Sequence, residues 1–173
     1  MLGGTHVANA DEQASLAIYK LIHVPHSIPL GDANAITIDS ASNRLIAIGI
    51  GRISAYDLKT EQLLHSAFYL AAPNNPEARK GFGLGYDVAF DARHNHIFVS
   101  VGGSGDKGSG RVQVYDGTTL AYVATLQGSD NEPLDNPGHI AVDATNDRIL
   151  IQHKNDLELF DDSTLTYGHR LPP

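Results

Sequence analysis

Apolar positions along the chain fall into short runs separated by Gly, Asn, Asp, Ser and Pro, a pattern that predicts β-strands and tight turns. Three of these runs superimpose: Ala35-Ile36-Thr37-Ile38-Asp39, Asp87-Val88-Ala89-Phe90-Asp91 and His139-Ile140-Ala141-Val142-Asp143, with the closing Asp residues each 52 positions apart. Five residues after each Asp stands Arg44, His96 or Arg148, and a second apolar run follows it: Leu45 to Ile48, Ile97 to Val101, and Ile149 to Ile151. A third run ends in an aromatic-Asp pair at Tyr56-Asp57, Tyr115-Asp116 and Phe160-Asp161, with Thr60, Thr119 and Thr164 three residues on. A fourth run closes each unit: Leu63 to Leu70, Tyr122 to Leu126, and Tyr167 to Leu171.

A period near fifty residues with four strands per unit predicts an all-β fold, a β-propeller with about 3.5 four-stranded blades belonging to a six- or seven-bladed ring. The units are expected at 34–71, 86–127 and 138–171, with 1–33 a partial blade holding strands two to four. Within 1–33, Ser15 to Tyr19 reads as a strand, and an amphipathic helix over 11–22 is the alternative. First and second strands, such as Ile36 to Ile38 and Leu45 to Ile48, are expected to be covered on both faces because blades stack. Third strands alternate, as in Val112-Gln113-Val114 and Leu157-Glu158-Leu159, and are expected nearer the rim with one drier face. The turns between first and second strands carry Asp39 with Asn43, Asp91 with Asn95, and Asp143 with Asn146-Asp147, residues that bond nearby amides and tolerate left-handed backbone.

Composition narrows the function classes. A chain of 173 residues, 42% apolar and 18% charged, is globular in character. Its net charge of −8, with Lys and Arg scattered, argues against nucleic acid and anionic lipid as partners. No run of 18 apolar residues and no signal-peptide pattern at the start is found, so neither a membrane span nor an export address is expected in this stretch. The absence of Cys excludes disulfides and thiolate chemistry.

The repeat residues resemble the YVTN and NHL types of bacterial propeller repeat, most closely in Pro137-Gly138-His139-Ile140-Ala141-Val142-Asp143 and Arg111-Val112-Gln113-Val114-Tyr115-Asp116. The resemblance implies six or seven blades, a periplasmic or extracellular location, and roles ranging from ligand or protein binding to lactone hydrolysis and subunits of amine dehydrogenases. Because repeats bury their faces only against neighbours, a short stack is expected to be a piece of a longer product, to pair with another chain that closes the ring, or to be an open capped stack.

Candidate chemistry collects on the upper edge, where loops joining strands two and three lie beside loops joining one blade to the next. There fall the loops 71–86 and 127–138 and the Gly-rich insertion 102–110, which includes Asp106 and Lys107 and lengthens one blade alone. The insertion is no Walker loop, since Gly108 follows Lys107, and Gly81 to Gly85 precedes a strand, unlike a dinucleotide fingerprint. Asn34, Tyr86, Asp87, His139 and His153 are expected on the same edge as ligand-binding residues, with Asp87 and His139 the candidates for a divalent metal. His94 and His96 bracket Asn95 on the opposite edge, where His-x-His could chelate an adventitious metal, and are read as a solvated turn. No nucleophile elbow or zinc-protease motif is present. The leading expectation is a noncatalytic scaffold without cofactor that binds a protein or small ligand through upper-edge loops. The alternatives are a metal-dependent hydrolase of the lactonase kind, using Asp87, His139 and Asn34, and a structural subunit of a larger dehydrogenase or surface assembly.

Overall fold

The strand runs fold as three antiparallel meanders, seen in a computed structural model that describes residues 33–69, 83–102, 110–129, 134 and 136–171. The expected partial blade at 1–33, with its strand at 15–19, lies outside these apart from its last residue, as do Asp106, Lys107 and most of the loop 71–86. The first blade comprises β1 (Ala35–Asp39), β2 (Arg44–Ile48), β3 (Arg52–Asp57) and β4 (Leu63–Phe68). The second comprises β5 (Leu84–Asp91), β6 (His96–Gly102), β7 (Arg111–Asp116) and β8 (Tyr122–Leu126). The third comprises β9 (Pro137–Asp143), β10 (Arg148–His153), β11 (Asp156–Asp161) and β12 (Thr166–Leu171). In each sheet the strands lie side by side in chain order.

The turns follow from their residues. Asn43, Asn95 and Asp147 hold φ of 52°, 57° and 53° at equivalent places between first and second strands, where a short polar side chain tolerates left-handed backbone. The aromatic-Asp-x-x-Thr motif closes the other lower turn. Asp57 Oδ1 accepts from the amides of Lys59 and Thr60 at 2.8 and 2.7 Å, and Asp116 Oδ1 accepts from those of Thr118 and Thr119 at 3.0 and 2.7 Å. Asp161 Oδ1 accepts from Thr164 in the same way. These bonds hold the carboxyls of Asp57, Asp116 and Asp161 below the ordinary carboxylate range.

Two apolar cores join the three sheets. Ile46, Ile48, Ile53 and Ala55 of the first blade pack on Val88, Ile97, Val99 and Tyr115 of the second. From the opposite face of the second blade, Phe98, Val112, Val114 and Leu126 meet Ile140, Ile149, Ile151 and Phe160 of the third. The period of two makes this possible, because odd and even positions of β6 serve different seams.

Two expectations about burial need correction. Ile36 and Ile38 are 49% and 41% exposed, because they point away from the second blade, on the face they share with Leu45 and Ala47. Third strands are drier than their alternation suggested, since Gln113 and Glu158 are both wholly buried. One oxygen of each finds a partner: Tyr115 Oη donates to Gln113 Oε1 at 2.7 Å, and Arg170 donates to Glu158 Oε1. The outward face of the third blade is a shallow groove of about 370 Å³ lined by Ala141, Leu150, Gln152 and Leu157.

Candidate functional site

The upper edge is built where first strands begin. In β5 the ladder with β6 slips between Gly85 and Asp87, so Tyr86 falls at an irregularity and turns outward, 47% exposed. Its ring lies over Gly102, where any Cβ would overlap it. Asp87 then reaches across the seam to the third blade. Its Oδ2 accepts from the Ile140 amide at 2.8 Å and stands 3.3 Å from His139 Nδ1, while Oδ1 accepts from its own neighbour Val88 at 2.9 Å. His139 itself leaves 85% of its side chain open to solvent. His139 thus stands beside a carboxylate whose oxygens are committed to main-chain amides.

The other expected residues are placed differently. Asn34 Nδ2 donates to the Gly85 carbonyl at 3.1 Å, tying the first blade to the base of Tyr86. Nearby, Gly51 N donates to Gly83 O at 3.0 Å and Tyr69 Oη to Gly49 O at 2.8 Å, and burial raises the Tyr69 phenol far above its usual range. Asp87 and His139 are brought together, but among the described residues no third His, Asp or Glu joins them in a cluster of metal-ligand type. His153 is 6% exposed and sits 3.2 Å from Glu158 Oε1, inside the second seam.

Glu158 and its partner Arg170 escaped the sequence reading. Arg170 Nε and Nη2 donate to Glu158 Oε1 at 3.0 and 2.7 Å. Burial pushes the Glu158 carboxyl up, but Arg170 and His153 outweigh it and hold it below its ordinary value. The only sequence signal was the alternation Leu157-Glu158-Leu159, which also fits a solvated rim. His94 and His96, read as a solvated turn, are instead partly covered, with 24% and 18% of their side chains exposed, and they face Asp162 of the third blade. The turn is packed because the neighbouring blade's lower turn lies against it.

Four-stranded meanders stacked face to face, with their first strands adjacent, define this protein as a partial β-propeller. It is similar in structure to U3-55K, with a TM-score of 0.61 and 9% identity over 82% of this chain and 39% of that one. It is likewise similar to the crystal structure of the RRP9 WD40 repeats, with a TM-score of 0.63 and 8% identity over 82% of this chain and 38% of the other. The chain therefore spans less than two-fifths of either neighbour, and at such identity the likeness is one of fold. No protein-family model matches the sequence, and no curated protein is similar to it.

Proposed function

We propose that this propeller segment is a noncatalytic scaffold that binds a protein partner through its upper edge, using Tyr86 and His139 together with the Gly-rich insertion that follows Gly102 in the sequence. The observation that carries this reading is the arrangement at Asp87. A half-buried carboxylate ties the starts of two blades together, and Tyr86 and His139, at the starts of β5 and β9, are 47% and 85% open. Rigidly held aromatic and imidazole groups supply contact area at small entropic cost, which suits a protein interface. The WD40 propeller neighbours support a scaffold role at the level of architecture. From the resemblance of its repeat residues, we also propose that the chain is a propeller of the YVTN and NHL kind.

The test compares affinity capture by four versions of the chain: wild type, Tyr86→Ala/His139→Ala, a deletion of 103–109, and the lower-edge control Lys59→Ala. The reading requires a partner retained by wild type and the control and lost from both upper-edge variants, with all four equally folded by circular dichroism. Equal recovery by all four, or loss only from the control, rules it out.

A further inference from the structure

The lower ends of the two seams share a backbone and differ in side chains. At the first seam Asp39, 1% exposed, pairs with Arg44 Nη2 at 2.7 Å, and Arg44 Nη1 donates to the Gly117 carbonyl of the next blade at 2.7 Å. The Ser42 amide completes the set by donating to Asp39 Oδ1. One repeat later the same positions hold Asp91, His94 in place of Ser42, and His96 in place of Arg44. The counterpart of Gly117 is Asp162, an equivalence fixed by matching main-chain bonds, Gly117 N to Asn95 O at 2.7 Å and Asp162 N to Asp147 O at 3.0 Å.

The second seam has therefore lost a guanidinium and gained a second buried carboxylate. Asp91 and Asp162 are 1% and 0% exposed, and Asp162 Oδ2 has no hydrogen-bond partner. Two carboxylates in so dry a place are stable together only if a cation or a proton offsets one of the charges. The atoms that surround this oxygen are of ligand type. His94 Nδ1 stands 3.0 Å from Asp91 Oδ2 and 3.6 Å from Asp162 Oδ2, and His96 Nδ1 stands 3.4 Å from Asp162 Oδ1. Ligand atoms of Asp91, His94 and Asp162 all fall within 4.8 Å of one another. A tetrahedral centre with bonds of about 2.0–2.2 Å separates its ligand atoms by about 3.3–3.6 Å, close to these spacings.

The surroundings fit as well. His94 Nε2 lies 3.7 Å from Asp147 Oδ1, and Arg93 Nη1 pairs with that same oxygen at 2.7 Å. A ligating imidazole whose far nitrogen faces a carboxylate is the usual outer arrangement around a bound metal. With both imidazoles neutral, the three carboxylates and the one guanidinium leave a net charge of −2, which one divalent ion neutralises.

We propose that the lower end of the second seam binds a divalent transition ion of the zinc type through Asp91, His94 and Asp162, with the fourth position left to solvent, His96 beside Asp162 Oδ1 and Asp147 orienting His94. Mixed imidazole and carboxylate donors favour zinc over calcium or magnesium, which take all-oxygen shells. Since Asp91, His94 and His96 belong to the second blade and Asp162 to the third, the ion ties the two blades together.

Tag-free protein stripped with chelator is titrated with Zn²⁺ by calorimetry and with Co²⁺ by visible absorption. The expected result is one equivalent of Zn²⁺ bound, d–d bands of a four-coordinate Co²⁺ centre, and a rise in Tm of roughly 5–10 °C at a hundredfold excess over Kd. His94→Ala and Asp162→Asn each weaken Zn²⁺ binding by about tenfold or more. The double variant His96→Arg/Asp162→Gly rebuilds the chemistry of the first seam, so it folds without metal and loses both the binding and the rise in Tm. Wild type that takes up no zinc overturns the proposal. So does one-equivalent binding that survives in Asp162→Asn and the double variant, which assigns the ion to exposed histidines.

Discussion

Arg44 Nη1 donates to the carbonyl of Gly117, 73 residues further along the chain, at 2.7 Å, and so joins the lower turn of one blade to that of the next. The same guanidinium neutralises Asp39 in a nearly dry site. The third blade repeats the pair as Asp143 and Arg148 at 3.1 Å, but there the side chains are 32% and 45% exposed, since no described blade lies beyond them. The first pair is consequently a structural tie, and the last is a surface ion pair of small weight.

Arg44→Met leaves the Asp39 charge buried without its partner and the Gly117 carbonyl without its donor. It is expected to lower stability by about 3–5 kcal/mol, whereas Arg148→Met lowers it by about 1 kcal/mol or less. Urea unfolding of the two variants measures the difference.

Acid sensitivity follows from the same pair. Burial works to raise the Asp39 carboxyl, but its bonds to Arg44 and Ser42 prevail and set it below the ordinary carboxylate value. A folded-state value below the unfolded one stabilises the protein fully above the unfolded value, and that stability is lost as pH falls through the folded value. Stability should thus fall below about pH 4 in wild type. Asp39→Asn should flatten this acid limb, which urea midpoints between about pH 6 and pH 2 will reveal.

Gly102 leaves room for the edge of the Tyr86 ring at the end of β6, and a methyl group there overlaps the ring. Gly102→Ala is expected to displace Tyr86 and weaken partner capture while the two seams stay intact. The check is unchanged far-UV circular dichroism beside reduced capture.

The two faces of the third blade respond to substitution in opposite ways. Ile151 is wholly buried in the second seam, so Ile151→Ala should cost about 2–5 kcal/mol. Leu157 lies across the sheet on the outward groove, 41% exposed. Leu157→Lys should leave the unfolding midpoint nearly unchanged and reduce binding of a hydrophobic dye.

The blades were legible because their signals are local. Each strand pair, each left-handed Asn or Asp, and each aromatic-Asp-x-x-Thr turn depends on residues a few positions apart, and 52-residue spacing ordered them. Upper-edge proximity of Asp87 and His139 was also readable, because they occupy successive copies of one repeat position. Cross-seam chemistry was not. The pairing of His96 with Asp162 joins residues 66 positions apart whose meeting depends on how two sheets stack. The sequence does carry a trace of it in the departures from the repeat, His96 where its counterparts are Arg44 and Arg148, and Asp162 where one counterpart is Gly117. Glu158 was hidden for a related reason, since alternation in a strand reports two faces and cannot report that the face bearing the polar residue lies inside a seam.

Hydroxyl-radical footprinting of the chain, alone and with the partner recovered by affinity capture, tests the proposed binding surface most directly. The account predicts strong protection of Tyr86 and His139 in the complex, with Lys59 and the other lower-turn residues unchanged. Protection confined to the lower edge, with Tyr86 and His139 as reactive as in the free protein, would contradict it.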